Sequence, residues 1–598
     1  MKRFILSIGL CLCGLSSMNA VDIIISPETG SLHEAIRQAR ELRRLNKVVA
    51  DEPVHIQMKG GVYPLNEPLF IRPEDSGTEN SPTIIEAFPG ETPVLSGGIR
   101  ITGWRKEGKY WTAQVPEWNG NDFLFRQVWV NGRKAVRARN VSDFNLMDRI
   151  RFNDKANQIL WVPASSVSAI RKAENAELII HQMWEIAVLR IKSITIQGDS
   201  AGIRFYEPES RIQFEHPWPQ PVMKEGFHSA FYLTNALELL DEPGEWYFDK
   251  RLRKLYYIPL QGEDMRTAEV VAPVLETLVE ITGTIDRPVQ YIQFKGIHFQ
   301  YANWTRPSEK GHVPLQTGMY LLDGYKLNPP GAPGNQNKGI ENQAWIGRPP
   351  AAVMVSDAAH TQFENCSFEH LGSCALDFIQ ASNSDLISRC TFRDIAGNGI
   401  QIGKFSDIGM ETHLPYIPAD GREICTHQHI VNNFITDTGN EDWGCVGIAA
   451  GYVQDINIEH NEICEIPYSG ISLGWGWTKT VNCMKNNRIH ANYVHHFAKH
   501  AYDVGGIYTL SAQSNTEITE NRIEAAYHPP YVHDPNHWFY LYTDEGSSFI
   551  MIKNNWCPEA RFFQNTNGPG NTWENNGPMV SEEIKNKAGI TPPDNLEK

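Results

Sequence analysis

Asn432-Asn433-Phe434-Ile435, His460-Asn461-Glu462-Ile463, Asn486-Asn487-Arg488-Ile489 and Glu520-Asn521-Arg522-Ile523 repeat one tetrad, x-Asn-x-Ile, along the second half of the chain. Working outward from these four, Asn365-Cys366-Ser367-Phe368 and Arg389-Cys390-Thr391-Phe392 carry Cys in place of Asn. Asn554-Asn555-Trp556-Cys557 carries Cys in place of Ile. The fourth positions lie 24, 43, 28, 26, 34 and 34 residues apart, a variable period in the range of stacked solenoid coils. Gly399-Ile400, Gly447-Ile448, Gly470-Ile471 and Gly506-Ile507 form a second pattern about half a coil further on. Two short strands per coil, each with an apolar inward residue, predict an all-β parallel β-helix. Stacking is the physical reason. Equivalent residues in neighbouring coils lie about 4.8 Å apart, so an Asn at a bend bonds the Asn above and below, while Ile and Phe build a continuous core. Cys366, Cys390 and Cys557 then read as small core residues, in keeping with the burial habit of free Cys.

At 598 residues the chain is long for one compact core, but a solenoid grows in one dimension and escapes that limit. The formal charge of −16 argues against a polyanion-binding groove, so nucleic acid is not an expected partner. Sixteen Trp, 21 Tyr and 25 Phe supply flat faces on which sugar rings stack where a cleft exposes them. Lys2 and Arg3 precede an apolar run from Phe4 to Leu15 and small or polar residues ending at Ala20. This is the pattern of a secretory signal peptide and predicts export to the periplasm or beyond. Neither Cys11 nor Cys13 follows the usual small residue, so a lipid anchor is not favoured, and no later segment approaches the roughly 20 apolar residues of a transmembrane span. The eight remaining cysteines are scattered over successive coils and read as free thiols rather than a disulfide framework.

Behind the signal segment, Ser31-Leu32-His33-Glu34 is a capping box that opens an amphipathic helix through about Leu45. Such a helix would cover the open end of the coil stack, where bare strand edges invite aggregation. Val54–Met58, Leu69–Ile71 and Thr83–Ala87 read as strands of the first coils, so that residues 21–100 comprise the capping helix and the start of the β-helix. Between 101 and 272 the texture changes to antiparallel hairpins, with Asn131-Gly132 a strong two-residue turn signal. This predicts an inserted β-sandwich-like domain. Coils resume within 273–598, and Pro/Gly/Asn-rich excursions at 303–349 and 403–424 would project as cleft-forming loops.

Leu95-Ser96-Gly97-Gly98, Leu237–Asp241 with Pro243–Tyr247, Asp503-Val504-Gly505-Gly506-Ile507-Tyr508 and Tyr542-Thr543-Asp544-Glu545-Gly546 together resemble right-handed β-helix glycoside hydrolases, most closely glycoside hydrolase family 141. The resemblance covers about residues 25–575. The first motifs indicate architecture only, whereas the last two are more specific. It implies a fold, a glycosidase activity that in this family includes α-L-fucosidase action on rhamnogalacturonan II side chains as well as xylan activity, and a catalytic pair at Asp503 and Asp544.

Taken without the family, the two aspartates still make sense, because glycoside hydrolysis needs one carboxylic acid and one carboxylate. Their register poses a difficulty. Asp503 follows Ile489 by 14 residues and Asp544 follows Ile523 by 21. Seven extended residues would separate the two by about 20 Å, against about 5–9.5 Å for working pairs. A bend at Gly505-Gly506, or the segment 527–538, would have to close that gap. Asp544 is the favoured acid. Glu545 competes with it, but neighbours on a strand point to opposite faces. Trp475, Trp477, His500, Tyr502, His537, Tyr542 and Glu545 are the candidate sugar contacts, with Trp443, Asn565 and Asn567 as weaker ones. His495, His496 and His500 lack the interleaved Glu or nearby Cys of a zinc site, so no metal is expected; calcium wants several clustered carboxylates, and Asp503, Asp544 and Glu545 could contribute, but no compact acidic motif is visible. The competing readings are a β-xylosidase or xylanase, a polysaccharide lyase using Lys499 or Lys404, or a non-catalytic glycan-binding β-helix. Oligomeric state is not legible.

Overall fold

The computed structural model describes residues 21–48, 51–216, 219–324, 346–405 and 414–592. The signal-like segment with Cys11 and Cys13, and parts of both long loops, lie outside the described residues. The chain forms a parallel β-helix with three long sheets rather than two. A twelve-stranded sheet runs from Val21–Ile25 to Thr572–Glu574, a nine-stranded sheet from Gly61–Pro64 to Arg522–Glu524, and a ten-stranded sheet from Leu69–Ile71 to Phe562–Gln564.

The third strand of each coil was hidden because the tetrad sits at a corner. Asn457–Glu459 belongs to the first sheet and Glu462–Cys464 to the second, yet in sequence they read as one run. The corner is made by the first residue of the tetrad. Asn365, Arg389, Asn432, His460, Ala491, Glu520 and Asn554 all have φ between 52° and 59°, the left-handed region in which single residues turn a chain sharply.

One tetrad was placed on the wrong strand. Ile489 pairs with Ile458 in the first sheet, and the corner ladder instead passes through Ala491-Asn492-Tyr493-Val494, whose final Val disguises it. Asn487 serves a different corner, where its Oδ1 accepts from Ile456 N at 3.3 Å. In the corrected register, Asn461 N and Nδ2 both donate to Asn492 Oδ1 (3.0 and 2.9 Å). Asn492 does the same to Asn521 (2.9 and 3.0 Å), and Asn521 to Asn555 (3.1 and 2.8 Å). Each Asn Nδ2 also donates to a carbonyl of the preceding coil, Ile430 O, Ile458 O and Ile489 O in turn. Where Cys replaces Asn, the thiols of Cys366 and Cys390 donate to Phe294 O and Phe363 O. All eight described cysteines are free and buried.

Inside, Ile85, Phe294, Phe363, Ile387, Ile430, Ile458, Ile489, Ile518 and Ile552 stack in register along the first sheet, each at most 1% exposed. Each contributes about 1.5–3 kcal/mol of burial. The N-terminal helix Leu32–Arg44 is capped by Ser31 Oγ, which accepts from Glu34 N at 3.2 Å. It buries Leu32, Ala35, Ile36 and Ala39 against the first coils.

The antiparallel sheets leave and re-enter the helix at paired strands, Gly98–Arg100 and Val270–Pro273. Asn131 (φ 51°) and Gly132 (φ 74°) form the tight turn of the Trp129–Lys134 hairpin. A long hairpin, Glu177–Gln182 with Glu185–Gln197, folds back onto the coils. There Val188 N donates to His312 O (2.8 Å), and His181 Nε2 lies 2.7 Å from His500 O. Trp129 Nε1 and Lys134 Nζ both bond Asp394, at 2.7 and 2.9 Å.

The candidate site lies on the outer side of the ten-stranded sheet. Met354, Asp377, Gln401, Ala449, Ser472, Tyr508, Tyr542 and Phe563 follow one another there in strict register. Consecutive aromatic rungs on that face occur only at the C-terminal end, although Phe70 stands on the same row near its start.

Candidate active site

Strands Val504–Thr509 and Trp538–Thr543 pair in parallel, with Val504 opposite Trp538 and Thr509 opposite Thr543. Asp503 stands just before the first and Asp544 just after the second, so the backbones carrying them are at opposite ends of the pair. Side chains close the gap. Tyr542 OH reaches back to donate to Asp503 Oδ1 at 2.9 Å. Tyr508 OH, from the other strand, donates to Asp544 Oδ2. The two rings lie edge to face with centroids 5.0 Å apart, so each aspartate is held by the tyrosine of its partner's coil.

The glycines between them are explained by this crossing. A Cβ on Gly505 would come within 2.7 Å of Tyr542 Cβ, and one on Gly506 within 2.4 Å of Ile523 Cγ2. Gly505 therefore leaves room for the Tyr542 side chain rather than supplying the bend expected of it. Asp503 itself turns the chain, with φ 60°. Gly546 (φ 80°) brings the turn after Asp544 against Thr478, whose backbone a Cβ would meet at 2.5 Å.

The two carboxyls live in different surroundings. Asp503 is partly exposed, its side chain retaining 22% of its accessible surface. Its Oδ1 accepts from Tyr542 and lies 3.1 Å from His537 Nε2, whereas Oδ2 has no hydrogen bond among the described residues. That bond to Asp503 raises His537 above its ordinary range despite partial burial. Asp544 is buried, and Oδ1 accepts from Asn565 Nδ2 at 2.7 Å. Burial pushes its pKa up to about 6; the Asp503 charge adds to the rise, and the bonds from Tyr508 and Asn565 oppose it. Tyr508 and Tyr542 are both driven upward, first by burial and then by the aspartate charges, so each keeps its proton to donate. Beneath them Tyr468 OH donates to the Asp503 carbonyl and accepts from Gln316 Nε2, both at 3.3 Å.

The other candidates divide. Glu545 is exposed where Asp544 is buried, the alternation expected of neighbours. Trp477 is half-buried and packs beside Tyr508 and Tyr542. Trp475 does not line the cleft: it is 1% exposed and packs edge-on to Phe405 and Trp477, because the Gly474-Trp475 turn points it inward. His500 stacks on Trp443 at 4.2 Å and bonds Tyr531 OH, and burial drops its pKa to about 3. Tyr502 is buried in the same aromatic layer, stacked on His181 of the inserted hairpin. These two, with Trp443, wall the site on the side of the inserted domain rather than open into it. Asn567 turns away to Thr543 Oγ1 at 2.8 Å.

Tyr508 stood in sequence only as one of the polar aromatics crowding these coils, Tyr468, Phe539 and Phe563 were passed over as site residues, and Asn565 was undervalued. Phe539 and Phe563 stack at 4.6 Å, half-buried, with Phe563 5.0 Å from the Tyr542 ring. With Trp477 they supply apolar faces against the Tyr508, Leu510 and Tyr542 cluster. Their signal was the register, since Phe563 is the next rung after Tyr542. Lys499 and Lys404, the lysines considered for a lyase, pair with Glu465 (3.1 Å) and Glu423 (3.2 Å). Among the described residues no group of three or more His, Cys, Asp or Glu is placed to hold a metal ion, and no helix is long and apolar enough to cross a membrane.

A buried carboxyl of the inserted hairpin, Glu185, sits close to this floor. It accepts from Gly318 N at 3.3 Å and faces Asp442, and burial together with the Asp442 charge pushes it well above the carboxylate range.

Comparison with known proteins follows the same division of the chain. Residues 108–260 match the family model described as the GH141 insertion domain. A solved structure titled "Glycoside hydrolase" is 55% identical, with a TM-score of 0.93, over 96% of this chain and 99% of that one. "The complex structure of XylC with xylose" aligns at 13% identity and a TM-score of 0.46, over 91% of this chain and 70% of that one. PfbA, a surface adhesin of Streptococcus pneumoniae, aligns at 10% identity and a TM-score of 0.33, over 94% and 93%. No curated protein matches.

Proposed function

The chain belongs to glycoside hydrolase family 141, and from that premise we propose that it is an exported α-L-fucosidase that removes a terminal fucose from rhamnogalacturonan II side chains of plant pectin. Asp544 and Asp503 are the catalytic pair. The observation that carries this reading is the asymmetry of the two carboxyls. Asp544, buried and held near 6, keeps a proton in mildly acid conditions and serves as the acid for the departing glycosidic oxygen. Asp503, half open and with Oδ2 uncommitted, supplies the carboxylate that glycoside hydrolysis requires on the other side of the bond.

In this scheme Asn565 and Tyr508 fix the orientation of Asp544, and His537 and Tyr542 fix Asp503. As the acid gives up its proton, Tyr508 and Asn565 donate to the carboxylate that forms, so the charge appears where donors already stand. Trp477, Phe539 and Phe563 offer apolar faces to the sugar ring and its aglycone. The signal-like residues 1–20 support export. Fucose as the leaving sugar rests on the family's known activity.

The test is chromatography of free monosaccharides released from rhamnogalacturonan II side-chain oligosaccharides and, in parallel, from xylo-oligosaccharides. Fucose from the first and nothing from the second is the expected result. Xylose release without fucose would replace the substrate while leaving the acid pair in place.

A further inference from the structure

A cavity of about 190 Å³ lies at the seam between the inserted domain and the β-helix, lined by Arg139, Phe144 and Tyr232 from the insertion and by Asn440, Glu441 and Trp443 from the coils. Against about 30 Å³ for a water in the liquid, this is room for a sugar ring rather than a lone ion. The cations around it are not equivalent. Arg126 and Arg137 both bond Glu177, at 2.9 and 2.8 Å. Lys134 lies 2.9 Å from Asp394 and 3.5 Å from Glu441. Arg139 has no carboxylate.

The Arg139 guanidinium lies over the Phe144 ring, 4.5 Å from its centroid. It makes no hydrogen bond or ion pair among the described residues, and its Nε is buried without a partner. Its two terminal nitrogens stay accessible and uncommitted at the cavity, and the planar fork they form matches a carboxylate bidentately. Tyr232 OH is likewise without a hydrogen bond among the described residues. Glu441 faces the cavity but is already compensated, by Lys134 and by Gln127 Nε2 at 2.8 Å.

One wall of the cavity is shared with the catalytic neighbourhood. Trp443 stacks on His500 with centroids 4.2 Å apart, and Asp503 follows His500 by three residues. We propose that this cavity binds a uronic acid unit of the glycan, its carboxylate paired with Arg139, so that the inserted domain selects acidic oligosaccharides. The proposal rests on the glycosidase reading for its choice of a sugar as ligand. Aromatic lining and volume favour an acid sugar over a small inorganic anion.

The test is titration calorimetry of the full protein with D-galacturonate and D-glucuronate, with D-galactose and D-glucose as neutral counterparts and inorganic sulfate as the anion control. Wild type is expected to bind a uronate and neither neutral sugar. Arg139→Gln should lose at least tenfold in affinity and Arg139→Lys should recover part of it, with thermal melting unchanged in both. Asp544→Asn should bind uronate like wild type, which separates this site from turnover: uronate binding without fucose release would leave this inference standing and remove the fucosidase. No uronate binding by wild type, equal binding by Arg139→Gln, or sulfate binding as tightly as uronate would overturn it.

Discussion

Two edges of the same coil use stacking in opposite ways. At the corner between the first and second sheets, Asn433, Asn461, Asn492, Asn521 and Asn555 repeat one residue, and each satisfies the next through paired bonds of 2.8–3.1 Å. On the outer face of the third sheet no rung repeats its neighbour until Tyr508 and Tyr542. There the identical pair does not bond itself but reaches past itself, each tyrosine to the other coil's aspartate. Repetition at the corner builds a rod; the broken repeat on the face builds a site. The ladder asparagines and the two tyrosines are all hydrogen-bonded, but only the tyrosines spend their bonds on carboxylates.

Predictions that break one edge should leave the other intact. The largest effect is expected from Asp544→Asn, which should cut kcat by about 10²–10⁴-fold with no loss of stability. Because the folded pKa of Asp544 is raised to about 6, its burial penalises folding increasingly as pH rises from the ordinary carboxylate range toward 6. The Asn variant should therefore melt at or above the wild-type temperature at pH 7. Lower melting would show that the aspartate is structural.

The mirror experiment is Asn492→Ala. It orphans Asn461 N and removes the Nδ2 bonds to Ile458 O and Asn521 Oδ1, the last of which still accepts from the backbone N of residue 492; a buried group left unpaired costs about 1–3 kcal/mol. Urea unfolding should report a loss of about 2–4 kcal/mol, while kcat of the folded fraction stays within about twofold. A neutral result would mean that water replaces the ladder.

Gly505→Ala is next. The added Cβ would collide with Tyr542 and displace it from Asp503, and kcat/KM should fall by about tenfold, roughly the worth of one hydrogen bond to a charged group. The smallest change is expected in a pH profile. With Asp544 as the acid, the alkaline limb of kcat/KM falls near pH 6. Tyr508→Phe removes a bond that lowers the Asp544 pKa, so its limb should move to higher pH. A limb that does not move would separate Tyr508 from the acid.

The same contrast explains what the sequence disclosed. Residues that satisfy their own copies leave a period, and that period was enough to predict a β-helix and the stacked interior. It misled where substitution preserved the fold but not the letter: Val494 at an Ile rung hid the true corner at Asn492, and Asn486-Asn487 imitated it. Three sheets appeared as two because a corner in the left-handed region at His460 or Glu520 leaves no mark of its own in residue type. At the candidate site, Asp503 and Asp544 were named by the family resemblance rather than by any mark of their own. Their bracing was not legible, because it joins Tyr508 to Asp544 and Tyr542 to Asp503 across coils, and only the pairing of Val504 with Trp538 sets that register. Trp475 and Trp477 differ by two residues and look alike in sequence. One is buried and the other half open, a difference set by the turn at Gly474 and Gly476.

The most direct test of the account is the leaving-group dependence of the two aspartate variants on aryl α-L-fucosides. If Asp544 is the acid, Asp544→Asn should lose little activity on a dinitrophenyl fucoside, whose phenolate departs without a proton, and most of it on the unactivated phenyl fucoside. Asp503→Asn should be equally impaired on both. A variant Asp544→Asn that is slowed to the same degree on activated and unactivated substrates, or an Asp503→Asn that retains wild-type rates, would contradict it.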